Sequence, residues 1–143
     1  MANPTITGTI GVVSFSASTI ISTATTNENL LGNTASSGKL IRVHSLVVHN
    51  IDGSAAATFQ LKRYDQDGTP MHSDVGTYQA AIGADVVAGS DLGGLHNISV
   101  AAQNSLVVYD NTQNVTLQED ESLVIQASAA NDLSVEIHYS VIG

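Results

Sequence analysis

Alternation with a period of two constrains this chain more than any other feature. In residues 133–141 the odd positions Leu133, Val135, Ile137, Tyr139 and Val141 are apolar, and the even positions Ser134, Glu136, His138 and Ser140 are polar. Successive side chains of a strand point to opposite faces, so the pattern describes a strand with one dry and one wet face. Residues 122–128 read as its neighbour, with Ala129-Ala130-Asn131-Asp132 as the turn of a hairpin. Residues 105–109 and 114–118 are two more short strands around the turn Asp110-Asn111-Thr112-Gln113. Residues 39–50 are rich in β-branched side chains and apolar on both faces, which predicts a strand central in a sheet or crossing between layers. Asp52-Gly53 makes a turn, and residues 57–64 set Phe59 and Leu61 on one face against Thr58, Gln60 and Lys62 on the other. Asp65-Gln66-Asp67-Gly68 closes that strand as a further turn.

Two regions are less patterned. Half of residues 5–26 are Ser or Thr, interspersed with Ile10, Val12, Val13, Phe15, Ile20 and Ile21. Stiff β-branched side chains and competing hydroxyls suit a strand or extended arm there, not a helix. Between 65 and 97, Gly76, Gly83, Gly89, Gly93 and Gly94 interrupt the run and five Asp occur without a base, which reads as a long excursion with weak or edge strands and a contact surface. No stretch has convincing helical periodicity. Seven to nine short strands separated by turns predict an all-β, single-domain antiparallel β-sandwich, jelly-roll-like. Residues 1–26 form its N-terminal strand or arm, and residues 27–143 form the sandwich with its Gly/Ala/Asp-rich excursion at 65–97. Only Phe15, Phe59, Tyr64, Tyr78, Tyr109 and Tyr139 are aromatic, so the core is built mainly from Val, Ile, Leu and Ala.

Composition narrows the function classes. The 143 residues carry four Lys plus Arg against 13 Asp plus Glu, a net charge of −9, and no Cys or Trp. Disulfides and thiolate metal sites need cysteine and are excluded. Nucleic acid and anionic membrane surfaces need clustered cations, so neither is an expected partner. The start, Met1-Ala2-Asn3-Pro4-Thr5, lacks the basic-then-apolar order of a secretion signal, and assembly in a cytoplasm is expected. Lys39, Arg42, Lys62 and Arg63 are the only bases, whereas residues 64–143 hold 11 acids and no base. Either strands interleave the two halves in space, or the subunit is polar and docks a basic end on an acidic neighbour.

Site chemistry is sparse. His44 and His49 are five apart in a strand and are expected on opposite faces, and no HxH or HExxH occurs among the five histidines. Asp65-Gln66-Asp67-Gly68 resembles the middle of a calcium loop, but Arg63 stands at the first ligand position and no Glu closes it, so a turn is the better reading. Glu119-Asp120-Glu121 reads as a solvated turn. No GxSxG elbow and no phosphate-binding glycine loop is present, and spacing singles out no Ser/His/Asp set. No catalytic residue, metal ligand or cofactor is assigned. The sequons at 97–99 and 114–116 read as chance matches without a secretion signal.

Residues 41–56 (IRVHSLVVHNIDGSAA), 105–108 (SLVV), 117–130 (LQEDESLVIQASAA) and the final strand ending in Tyr139-Ser140 resemble small all-β virion structural proteins of tailed bacteriophages. The similarity covers roughly 39–64 and 105–141. It implies a non-enzymatic virion subunit assembled in the host cytoplasm. A capsid decoration (cement) subunit that stabilises the head by protein contact is the leading form, with a neck, tail or fibre-base subunit as its alternative. The implied partners are further copies of the chain, as a homo-oligomer such as a trimer, and the major capsid protein or neighbouring virion proteins. Candidate contact residues are Phe15, Lys39, Arg42, Lys62, Arg63 and Tyr78. A reading of another class is a host-glycan module using Tyr64, Tyr78 and Tyr109 as a platform; the scarcity of aromatics weighs against it. A hydrolase ranks last.

Overall fold

The computed structural model describes residues 11–65, 98–113 and 115–143, which form nine strands in two antiparallel sheets. The strands are β1 (Val12–Ile20), β2 (Asn27–Gly32), β3 (Leu40–Asn50), β4 (Ala57–Asp65), β5 (Ile98–Val100), β6 (Ser105–Tyr109), β7 (Val115–Leu117), β8 (Glu121–Ala127) and β9 (Leu133–Ile142). One sheet has the order β1-β9-β3-β6 with β7 also on β3, and the other the order β2-β8-β4-β5. The chain is thus a β-sandwich, and β1 is its N-terminal strand, paired along its whole length with β9.

The alternation maps directly onto the layers. Leu133, Val135 and Ile137 of β9 and Ile41, Val43, Leu46 and Val48 of β3 face inward from one sheet. Phe59 and Leu61 of β4 and Leu123, Ile125 and Ala127 of β8 complete the same core from the other. Aliphatic side chains dominate it, with Phe59 the largest that is fully buried. Removing such side chains from water, at roughly 25 cal/mol per Å² of apolar surface, is the main force holding the two sheets together.

The expected hairpin at 122–141 does not form. β8 lies in the four-stranded sheet and β9 in the five-stranded one, joined by a link that crosses between layers. Asn131 there takes a left-handed φ of 64°, its N–H donates to Ile21 O at 2.8 Å, and Ile51 N–H donates to Asp132 O at 2.8 Å. Both strands are apolar on the core face, and placing one in each layer lets those faces cover each other. The same crossing recurs from β1 to β2, β2 to β3, β3 to β4, β5 to β6 and β7 to β8.

β3 departs from strict alternation at a β-bulge between Val43 and Ser45, where Val43 faces Tyr139 and Ser45 faces His138, so His44 is the additional residue. One extra residue reverses the parity of everything after it. His44 and His49 therefore share the outer face instead of lying on opposite ones: His44 Nε2 is 2.6 Å from Ser140 Oγ, and His49 Nδ1 is 2.6 Å from Ser105 Oγ. The bulge also explains why residues 39–50 look apolar on both faces.

Two buried asparagines hold the links. Asn50 donates to Ala55 O at 2.9 Å and Val100 O at 2.8 Å and accepts from Asp52 N–H, tying the β3–β4 crossover to β5. Asn33 donates to Lys39 O and Leu117 O and accepts from Ser37, bracing the β2–β3 link against β7. The two halves of the chain do interleave, since each sheet mixes strands from both; Arg63 pairs with Glu121 across them. Among the described residues, basic and acidic side chains are therefore mixed within the sheets.

Candidate functional site

Among the described residues the feature that stands apart is β1. All nine of its residues are exposed, although it pairs with β9 without a register break from Val12↔Ile142 to Ile20↔Ser134. Its inward face carries Val13, Phe15, Ala17 and Thr19, opposite Val141, Tyr139, Ile137 and Val135. Ile137 and Val135 are core residues, whereas Val13 and Phe15 are 55% and 45% exposed. An inward-facing apolar row thus continues past the part of the core that the second sheet covers. Phe15 stacks on Tyr139 with ring centroids 5.3 Å apart, and Ser14 Oγ is 3.0 Å from Ser140 Oγ on the other face. Ile21, fully buried, donates its N–H to Leu133 O at 2.9 Å and anchors the strand's end.

Among the described residues no strand pairs the edge of β1 that faces away from β9, and this edge lacks the usual protections. Natural sheets blunt edges by short strands, bulges, Pro or inward charges. β2 carries Glu28 and a register break between Asn29 and Leu31, and β5, β6 and β7 have three, five and three residues. β1 has nine residues and a regular register. Residues 1–27 contain no charged side chain, so β1 presents neither Lys nor Glu to a neighbour. The parity of its backbone follows from two bonds: Gly143 N–H donates to Gly11 O, and Ile21 N–H donates to Leu133 O. Odd residues therefore bond β9, and the even residues Val12, Ser14, Ser16, Ser18 and Ile20 aim their N–H and C=O groups outward.

The other candidate contact residues are placed differently. Lys39 and Arg42 are exposed around the start of β3. Lys62 is only 5% exposed and its Nζ donates to Gln126 Oε1 at 3.3 Å. Arg63 donates through Nε (3.0 Å) and one terminal nitrogen (2.5 Å) to Oε2 of the fully buried Glu121. These two bases are thus engaged inside the domain and do not make a basic docking end. Glu121 likewise departs from the expected solvated turn. Tyr78, the 65–97 excursion beyond Asp65 and the Asp65-Gln66-Asp67-Gly68 turn beyond its first residue lie outside the described residues. Tyr109 is buried, so it cannot serve in a sugar platform.

On the outer face, Glu136 Oε1 is 2.8 Å from His138 Nε2, and Oε2 is 3.6 Å from His49 Nε2. The hydrogen bond with His138, ahead of the smaller effect of His49, holds the Glu136 carboxyl below the usual carboxylate range. Among the described residues no group of three or more His, Asp or Glu is arranged to hold a metal. A depression of about 210 Å³ beside Thr25, Thr58, Gln60, Gln126 and Ser128 is below the roughly 300–1,000 Å³ of small-molecule sites. No helix among the described residues is long and apolar enough to cross a membrane.

No protein-family model matches the chain, and no curated protein matches it in sequence. A solved structure from Bacillus endospore appendages, described as a family of disulfide-linked pili, is similar over 99% of this chain and 96% of its own, at 13% identity and a TM-score of 0.44. The sequence pointed to a β-rich start and to edges open to strand addition; the structure places that start on the sheet edge as β1, where the absence of charge from residues 1–27 leaves it without charged side chains.

Proposed function

We propose that this chain is a non-enzymatic structural subunit of a repeating protein assembly. The phage-like strand pattern makes the specific form a virion subunit, foremost a capsid decoration protein that holds the head by protein contacts. The observation that carries the reading is the nine-residue, uncharged, fully exposed edge strand β1. Such an edge is a template for strand addition, and a protein that works alone is under pressure to blunt it. Low charge supports the same reading, because Ser, Thr and Asn bond partners across wet interfaces with little charge to desolvate. Repetition on a lattice then turns weak contacts into durable attachment. Covalent linkage through disulfides is not open to this chain, which has no cysteine.

Labelling the chain and imaging purified particles by electron microscopy tests the proposal. Many copies across the head are expected. A few copies at the neck or tail would move the subunit to those structures, and no copy on any particle would overturn the virion assignment.

A further inference from the structure

We propose that β1 pairs antiparallel with β1 of a second copy across a two-fold axis through Ser16. This rests on the self-assembly reading above and specifies its contact. An isologous interface must be self-complementary, residue i meeting j and j meeting i. The strand reads Val12-Val13-Ser14-Phe15-Ser16-Ala17-Ser18-Thr19-Ile20, which is nearly palindromic in size and polarity about Ser16. Pairing about that centre sets Val12 opposite Ile20, Val13 opposite Thr19, Ser14 opposite Ser18 and Phe15 opposite Ala17.

Backbone parity agrees with this register. The five even residues that aim their N–H and C=O groups outward would all meet even residues of the partner, so every outward group finds a bond. Centres at Phe15 or Ala17 also keep parity but leave two residues of β1 unpaired with β1 of the partner, and the Phe15 centre sets two bulky rings against each other; centres at Ser14 or Ser18 leave four unpaired. The non-hydrogen-bonded positions, where strands approach to about 4.5 Å between Cα atoms, would hold Phe15 against Ala17, a large side chain against a small one. On the inward face Val13, Phe15, Ala17 and Thr19 of both copies would join into one apolar surface. Two five-stranded sheets would become one of ten, near the upper size of about ten for open twisted sheets.

Charge selects a second copy as the occupant. Each chain carries −9, and two copies repel wherever acidic faces meet. Along β1 there is no charged side chain, and Glu136, opposite Ser18 on β9, lies three strand spacings, about 14 Å laterally, from the strand carrying its counterpart. That exceeds the Debye length of about 8 Å at physiological salt. A cationic or anionic partner would find no complementary group on this edge.

The test uses the full chain with Ser16→Cys and Ser16→Pro. With no native cysteine, S16C oxidises to an intermolecular disulfide only if Ser16 meets its own copy; hydrogen-bonded pairs lie about 5.5 Å apart at Cα, within disulfide reach. Ser18→Cys is the off-axis control. In S16P the lost N–H is one that points away from β9, so melting should be nearly unchanged while the edge is blocked. Expected are a dimer by sedimentation, rapid cross-linking of S16C well ahead of S18C, and loss of that dimer in folded S16P. An oligomer that persists in S16P without S16C cross-linking would overturn the β1 contact while leaving self-assembly standing. A monomer at all concentrations, with β1 amides protected from exchange by residues of its own chain, would overturn both.

Discussion

At the residue scale the buried pair Arg63–Glu121 concentrates the largest electrostatic stake. Glu121 is fully buried, and only its Oε2 bonds Arg63, while Oε1 has no hydrogen bond among the described residues. Removing its partner leaves the Glu121 charge in low dielectric, so Arg63→Ala should cost about 3–5 kcal/mol in denaturant unfolding. The double replacement Arg63→Met with Glu121→Leu should recover most of that loss. Asn50→Ala would strand the carbonyls of Ala55 and Val100 and is expected to cost about 2–4 kcal/mol, measured the same way. Glu28 supplies a pH test. Burial raises its carboxyl, but bonds from the Thr23 hydroxyl (2.7 Å) and amide (2.8 Å), with Ser22, outweigh this and hold it below the ordinary range. The folded state then binds the proton less readily than the unfolded one, so the stabilisation is present above the ordinary Glu value near about 4.3 and is lost as pH falls through the lowered folded value. Wild type should melt slightly above Glu28→Gln at neutral pH, and the gap should close on acidification; a gap that widens would contradict the assignment.

At the element scale, β1 and β9 play opposite parts although they lie side by side. β9 is flanked by β1 and β3 and buries Leu133, Val135 and Ile137, whereas every residue of β1 is exposed. A chain that begins at Ile21 should therefore still melt cooperatively by circular dichroism, with a modest fall in midpoint. A chain ending before Leu133 should not fold, because it removes an interior strand of one sheet together with the buried Leu133, Val135 and Ile137. The short strands β6 and β7 were legible from turn chemistry: Asp110 Oδ1 accepts the Thr112 N–H at 2.8 Å, the Asx turn its sequence calls for. β2 was not legible, since Asn27, Glu28 and Asn29 give it no alternating pattern and the break before Leu31 interrupts its register.

For the whole molecule, what amino-acid order alone determined is the strands at β3, β4, β6, β7, β8 and β9 and the β-rich start, because period-two alternation and turn residues act within a few neighbours. It determined as well that the core is aliphatic and that no thiol chemistry is available. Only the tertiary structure decided which strands pair. Among the described strands, six of the eight successive links cross from one layer to the other, so the nearest strand in sequence is seldom the hydrogen-bonded neighbour, and β1 meets its partner β9 from the far end of the described chain. Refolding dominated by such distant pairings should be slow, in the millisecond-to-second range by stopped-flow. The tertiary structure also decided the parity shift at His44, the burial of Glu121 and the exposure of β1. Each of these depends on what lies opposite a residue in the other layer or the adjacent strand, and local sequence carries no record of that neighbour.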